Sequence, residues 1–138
     1  MNNSRVKTVI AIDTNIIVRI VTDDDPRQTI RARRLLGEAQ VFVATTVLLE
    51  AEWVLRKMYG VPPSDVPDVL EAFIALPGVH LEHPGRVVRA LQAARAGQEL
   101  ADAFHHAAAA DHQCESFATF DRRMAKLSSS SHPPIGLL

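Results

Sequence analysis

Short apolar runs alternate along this chain with longer stretches of helical periodicity. The first run, Val9-Ile10-Ala11-Ile12, predicts a strand over residues 7–12 that ends in Asp13-Thr14-Asn15, with a short helix following over about 15–21. A second helix is predicted over about 26–38, with Asp25 as N-cap and Pro26 at the favourable first helical position. Residues 41–44 read as the second strand, and Thr45 or Thr46 as the cap of a helix running to residue 59, where Gly60 ends it. A helix over about 64–76 is stopped by Pro77-Gly78, and residues 79–82 form a candidate short strand. Helices are expected over 84–96, broken by Gly97, and over about 99–114. The run Phe117-Ala118-Thr119-Phe120 repeats the opening pattern: a strand that ends in Asp121, with a helix at once after it. A serine stretch at 128–131 reads as a loop before a last short strand at 135–138.

Strands alternating with helices predict an α/β fold, a three-layer α/β/α sandwich with a small, mainly parallel sheet. With 138 residues and no internal linker or repeat, a single domain over residues 1–138 is expected. The hydrophobic share of 47% and charged share of 22% are ordinary for a soluble globular protein. No apolar run approaches the ~20 residues that span a bilayer, so no membrane segment is expected. The opening Met1-Asn2-Asn3-Ser4-Arg5 lacks the layout of a signal peptide, and the lone Cys114 has no internal partner. Both point to the reducing cytoplasm.

The formal net charge of -1 hides an uneven distribution. Acids gather at Asp13, Asp23 to Asp25, Glu50 and Asp102, and arginines at Arg27, Arg31, Arg33 and Arg34, then at Arg86, Arg89, Arg122 and Arg123. A near-neutral chain is no strong nucleic-acid binder by net charge, so a polyanion would meet a local basic rim around an acidic centre. Arg27, Arg31 and Arg34 share one helix face, either as a solvated surface or as phosphate contacts.

Four acids carry the candidate chemistry. In open parallel sheets, ligands bind beyond the carboxyl ends of strands, so Asp13 and Asp121 are placed to share one crevice. Either can equally be a helix N-cap. Glu50 falls within a stripe of Val47, Ala51, Val54, Leu55 and Met58, where an unpaired carboxylate is costly without a cation or a polar cavity. Glu52 lies off that stripe, with Arg56 four residues on as a surface partner. Asp102 sits in the first turn of its helix, where negative charge complements the helix dipole. Together the four suit a hard divalent cation, which supports phosphoryl chemistry through an activated water. Thr119, two before Asp121, and Asn15, two after Asp13, are candidate supporting groups that hydrogen-bond a ligand or orient an acid.

These residues resemble the PIN-domain ribonucleases, and among them the VapC-type toxins of bacterial toxin–antitoxin pairs. "VIAIDTNIIVRIVTDDDP" resembles the family's first motif, with Asp13 leading and Asn15 supporting, and "FVATTVLLEAEWVLRKMYG" the second, with Glu50. "LADAFHHAAA" resembles the third, with Asp102, and "SFATFDRRMAKL" the fourth, with Asp121 and Thr119. The motifs occur in family order over nearly the whole chain. The resemblance implies a PIN-like fold and Mg²⁺- or Mn²⁺-dependent endonucleolytic cleavage of RNA, leaving 5′-phosphate and 3′-hydroxyl ends. Asp13, Glu50, Asp102 and Asp121 would be both its catalytic residues and its metal ligands. It further implies a homodimer and a small VapB-like antitoxin whose tail covers the acidic pocket. Many relatives carry another acid just after the fourth aspartate; here Arg122 and Arg123 follow instead, which bears on a second metal.

Two other function classes compete. A catalytically silent PIN domain would bind only RNA or a protein partner, but silent copies tend to lose the acids that are all present here. Phosphoryl transfer through an aspartyl-phosphate would want a second aspartate at position 15, or paired acids before the acceptor, and neither is found. Consecutive side chains of Asp23 to Asp25 diverge and suit a solvated loop, and the adjacent His105-His106 lacks the spacing of a zinc site. Trp53, Phe73 and Phe104 are expected in a core or a dimer interface.

Overall fold

Parallel strand pairing organises both halves of the chain. The computed structural model describes residues 8–127 and 132–138, and its contacts divide the chain into two compact units, Met1–Glu82 and His83–Leu138. The first unit runs β1 (Val9–Ala11), α1 (Thr14–Thr22), α2 (Pro26–Glu38), β2 (Gln40–Val43), α3 (Thr45–Met58), α4 (Val66–Ile74) and β3 (Val79–Leu81). Its sheet has the order β1-β2-β3, all parallel, with Val9 opposite Gln40 and Val41 opposite Val79. The second unit runs α5 (Pro84–Arg95), α6 (Leu100–Asp111), β4 (Phe117–Thr119), α7 (Arg122–Leu127) and β5 (Ile135–Leu137), with β4 and β5 paired parallel. The expected α/β class and parallel pairing are therefore found, but the strands fall into two small sheets. No helix among the described residues is long and apolar enough to cross a membrane.

The central strand of the first sheet is the buried one. Val41 and Val43 of β2 are fully buried, whereas Val9 and Ile10 of the edge strand β1 are exposed. Around β2 the core of this unit gathers Ile17 and Val18 of α1, Leu48, Ala51 and Leu55 of α3, and Val66, Leu70 and Phe73 of α4. In the second unit α5 packs on α6, burying Val87, Ala90 and Leu91 with Leu100, Ala103, Phe104 and Ala107. Phe73 and Phe104 thus belong to the cores, while Trp53 is 51% exposed.

Caps explain most helix ends. Asp25 caps α2 by accepting from Gln28 N at 3.3 Å, and Pro26 occupies the first turn, as the sequence predicts. Gly60, just beyond α3, has φ +67°, a left-handed backbone that favours glycine. The expected threonine cap of α3 is not found. Ala44 holds the cap position, and Glu82 at the end of β3 instead accepts from Thr45 N at 3.0 Å. A carboxylate carried in from the neighbouring strand replaces the local hydroxyl that the pattern predicts. The strand predicted over 7–12 is observed as Val9–Ala11, and its residue 7 lies outside the described residues, as does the serine loop at 128–131.

The run Asp23 to Asp25 divides into three separate roles. Asp23 adopts a left-handed backbone at φ 51° and ends α1, a conformation that aspartate tolerates better than most residues. Asp24 accepts from Tyr59 Oη at 2.6 Å, Thr22 Oγ1 at 3.0 Å and Arg19 Nη1 at 3.3 Å, tying the end of α1 to the end of α3. The Tyr59 hydroxyl above all, then Thr22 and the Arg19 charge, hold its carboxyl below the ordinary carboxylate range.

In the second unit Asp111, the last residue of α6, accepts from Arg86 Nε at 3.0 Å and from Arg89 Nη2, both on α5. These bonds to Arg86 and Arg89 hold its carboxyl below the ordinary range. A carboxyl depressed in the folded state stabilises above its unfolded value, and that stabilisation is lost as pH falls through the folded one. Asp111→Asn should therefore lower the melting temperature at neutral pH, with the gap to wild type closing below about pH 4. Thermal melts across a pH series check this, and a pH-independent gap would exclude the ionised clamp. Phe73→Ala, by opening a cavity in the core of the first unit, should cost about 3–5 kcal/mol in urea unfolding.

Candidate functional site

The first two acids are joined by one threonine. Asp13 is the N-cap of α1, and its Oδ1 accepts from Thr14 N at 2.6 Å. Thr14, itself 2% exposed, donates from its hydroxyl to Glu50 Oε1 on α3. Thr14 thus bonds Asp13 through its amide and Glu50 through its side chain, although the two acids are far apart in sequence. Asp13 accepts from Thr14 N, and Asn15, expected as a supporting amide, is exposed in the first turn of α1.

Glu50 also differs from expectation. It is exposed, not enclosed in an apolar stripe: Ala51 and Leu55 are buried, Val47 and Val54 are half-buried, and Met58 is 69% exposed. The buried face of α3 is centred on Leu48, Ala51 and Leu55, which turns Glu50 toward the helix's open side. Glu52 pairs with Arg56 at 2.7 Å as the spacing predicts, though half-buried.

The other two acids lie in the second unit. Asp121 follows β4 and accepts on Oδ1 from Arg123 N at 2.9 Å and Met124 N at 3.2 Å, so it caps the short helix α7. Its own amide donates to Thr119 Oγ1 at 2.9 Å. Thr119 therefore supports Asp121 through the backbone of the turn. Asp102 is half-buried in the first turn of α6. Partial burial first, then the negative charges of Glu99 and Asp121, push its carboxyl above the ordinary range, against the opposing influence of His105 and Arg123.

Each unit thus carries two of the candidate acids, Asp13 and Glu50 in the first and Asp102 and Asp121 in the second. All four are carboxylates, the donor type that hard cations such as Mg²⁺ and Mn²⁺ prefer. Among the described residues of either unit, no three His, Cys, Asp or Glu side chains form a group that could hold a metal. His106, from the adjacent histidine pair, is buried and donates from Nε2 to the Pro133 carbonyl at 2.7 Å, edge-on to Phe117, while His105 is exposed. That makes His106 a core residue.

Arg27, Arg31 and Arg34 are exposed along α2, and among the described residues no carboxylate forms an ion pair with them. The cavity of about 640 Å³ between Ile20, Arg33, Leu36, Gln40 and Leu76 lies elsewhere. Gln40 begins β2, whereas Asp13 follows the end of the parallel β1, so cavity and acid sit at opposite ends of this sheet.

Residues 10–129 match the PIN domain family. The chain belongs to that family, whose fold is α/β/α and whose members are typically metal-dependent nucleases. A comparison with curated proteins found no match.

The part played by Thr14 has no signal in the sequence, because nothing local shows that a hydroxyl will reach an acid on another helix. Thr14→Val keeps the side-chain shape and removes the donor, and should cost about 1 kcal/mol of stability, with Thr14→Ser retaining most of it. Urea unfolding measures both, and equal stability of Thr14→Val and wild type would show that the bond contributes nothing.

Proposed function

We propose that this chain is a metal-dependent endoribonuclease and the toxin of a VapBC-type toxin–antitoxin pair. The observation that carries the reading is the joining of Asp13 to Glu50 through Thr14 in a member of the PIN family. A buried residue spent on fixing two exposed acids suits ligands better than a fold that needs only a cap. Asp13, Glu50, Asp102 and Asp121 are the residues proposed to hold Mg²⁺ or Mn²⁺. When bound, such a metal lowers the pKa of a water and offsets charge on a phosphoryl oxygen.

The chain's own residues have distinct tasks in this reading. Thr14 fixes Asp13 and Glu50, and Thr119 holds the turn that presents Asp121. Asn15 remains a supporting amide at the start of α1. Arg27, Arg31 and Arg34 offer phosphate contacts on α2, which would make RNA affinity fall with salt. The proposed assembly is one domain acting as a homodimer in the cytoplasm, with a small VapB-like antitoxin covering the acidic site.

Purified protein incubated with total bacterial RNA and Mg²⁺ or Mn²⁺ should make discrete cuts with 5′-phosphate ends. Chelator should abolish them, and Asp13→Asn or Glu50→Gln should slow them on the order of a hundredfold or more. Mapping the ends by sequencing identifies the target at the same time. No cuts by metal-loaded protein, across RNA from several sources, would replace this reading with a silent domain that binds RNA or a partner.

A further inference from the structure

Phe120 is the most exposed of the large hydrophobic residues among those described, at 79%. It follows β4, where Phe117 and Thr119 turn half-buried to one face and Ala118 lies exposed on the other. Phe120 lies one residue beyond the strand, in the bend that leads to Asp121. The chain thus holds an aromatic ring in water directly before Asp121, a residue proposed above as a ligand.

What surrounds the ring narrows its occupant. Arg122 and Arg123 follow Asp121, are exposed, and form no ion pair with a carboxylate among the described residues. Arg86 and Arg89 of the same unit are tied to Asp111, so the sequence's second arginine cluster separates into a fixed pair and an available one. An aromatic face beside exposed guanidinium groups that make no ion pair is what binds single-stranded nucleic acid: a base stacks on the ring and phosphates meet the cations. An apolar protein partner would use the ring but leave both arginines unanswered.

We propose that Phe120 is a stacking platform for an unpaired base of single-stranded RNA, with Arg122 and Arg123 as contacts to its phosphates. The proposal rests on the nuclease reading and deepens it. Phe120 directly precedes Asp121, so RNA whose base stacks on Phe120 would run past the turn that carries Asp121. Phe120 then helps decide which phosphodiester is presented for cleavage, in single strands and not in duplexes.

The test is fluorescence anisotropy of the full chain with labelled single-stranded RNA, in chelator so that nothing is cut, beside metal-dependent cleavage of the same RNA. Phe120→Ala and Phe120→Leu should each weaken binding about tenfold, while Phe120→Trp retains it. Replacing Arg122 and Arg123 by glutamine should flatten the salt dependence by roughly 0.7 in log–log slope for each phosphate left without its cation. The cleavage pattern of Phe120→Ala should shift or spread while that of Phe120→Trp stays. Unchanged binding in Phe120→Ala, or Leu serving as well as Phe, overturns the stacking role. So does a change of oligomeric state in Phe120→Ala by sedimentation, which would show a second copy covering the ring. Wild type that cuts RNA while Phe120→Ala binds normally refutes only this proposal, whereas wild type that neither binds nor cuts refutes the nuclease reading with it.

Discussion

Parallel pairing around β2 is the constraint on which the first unit depends. Two strands that run the same way cannot be joined by a tight turn, so the chain must return through helices after each one. Strand ends and the segments that follow them therefore collect along one edge of the sheet. Asp13 follows β1, Thr45 opens α3 after β2, and Glu82 follows β3. Glu50 lies little more than a turn into α3. The acids are near this edge because the topology leaves their elements no other place to begin, and the burial of Val41 and Val43 holds that topology in place.

Within each unit, carboxylates take several roles. Asp13 and Asp121 are helix caps in the structure, and capping does not compete with binding a ligand, since the bonds described use only Oδ1 of each. Glu82 caps α3 from a neighbouring strand, and Asp111 clamps two arginines across a helix pair. Asp102 stands apart, because its surroundings disfavour its charge while the others receive donors.

Much of this is legible in the sequence, and the exceptions have physical causes. Helix α2 is observed over the predicted span, because Asp25, Pro26 and the arginine face are local signals. Gly60 and Gly97 break helices at the expected places, both with positive φ. The cap of α3 is hidden from the sequence because its carboxylate comes from Glu82, which no pattern near Thr45 reveals. The stripe through Glu50 misleads because five apolar residues on α3 do not share one buried face: Met58 is out in solvent. Single-sequence periodicity finds the helix but averages over which part of it is covered. Phe120 is masked for a similar reason, since an aromatic at the end of an apolar strand reads as core until its exposure is seen.

The bond pattern of Thr14 has a consequence for how firmly the first two acids are set. Its amide and its hydroxyl are separated only by the N–Cα–Cβ–Oγ1 path, whose lengths and angles are covalent. The one soft variable between the anchor of Asp13 and the anchor of Glu50 is the χ1 torsion of a β-branched side chain. Branching at Cβ restricts that torsion, and near-complete burial leaves it little room to turn. Threonine here acts as a rigid spacer, built from bonds where a longer or unbranched side chain would have supplied a hinge.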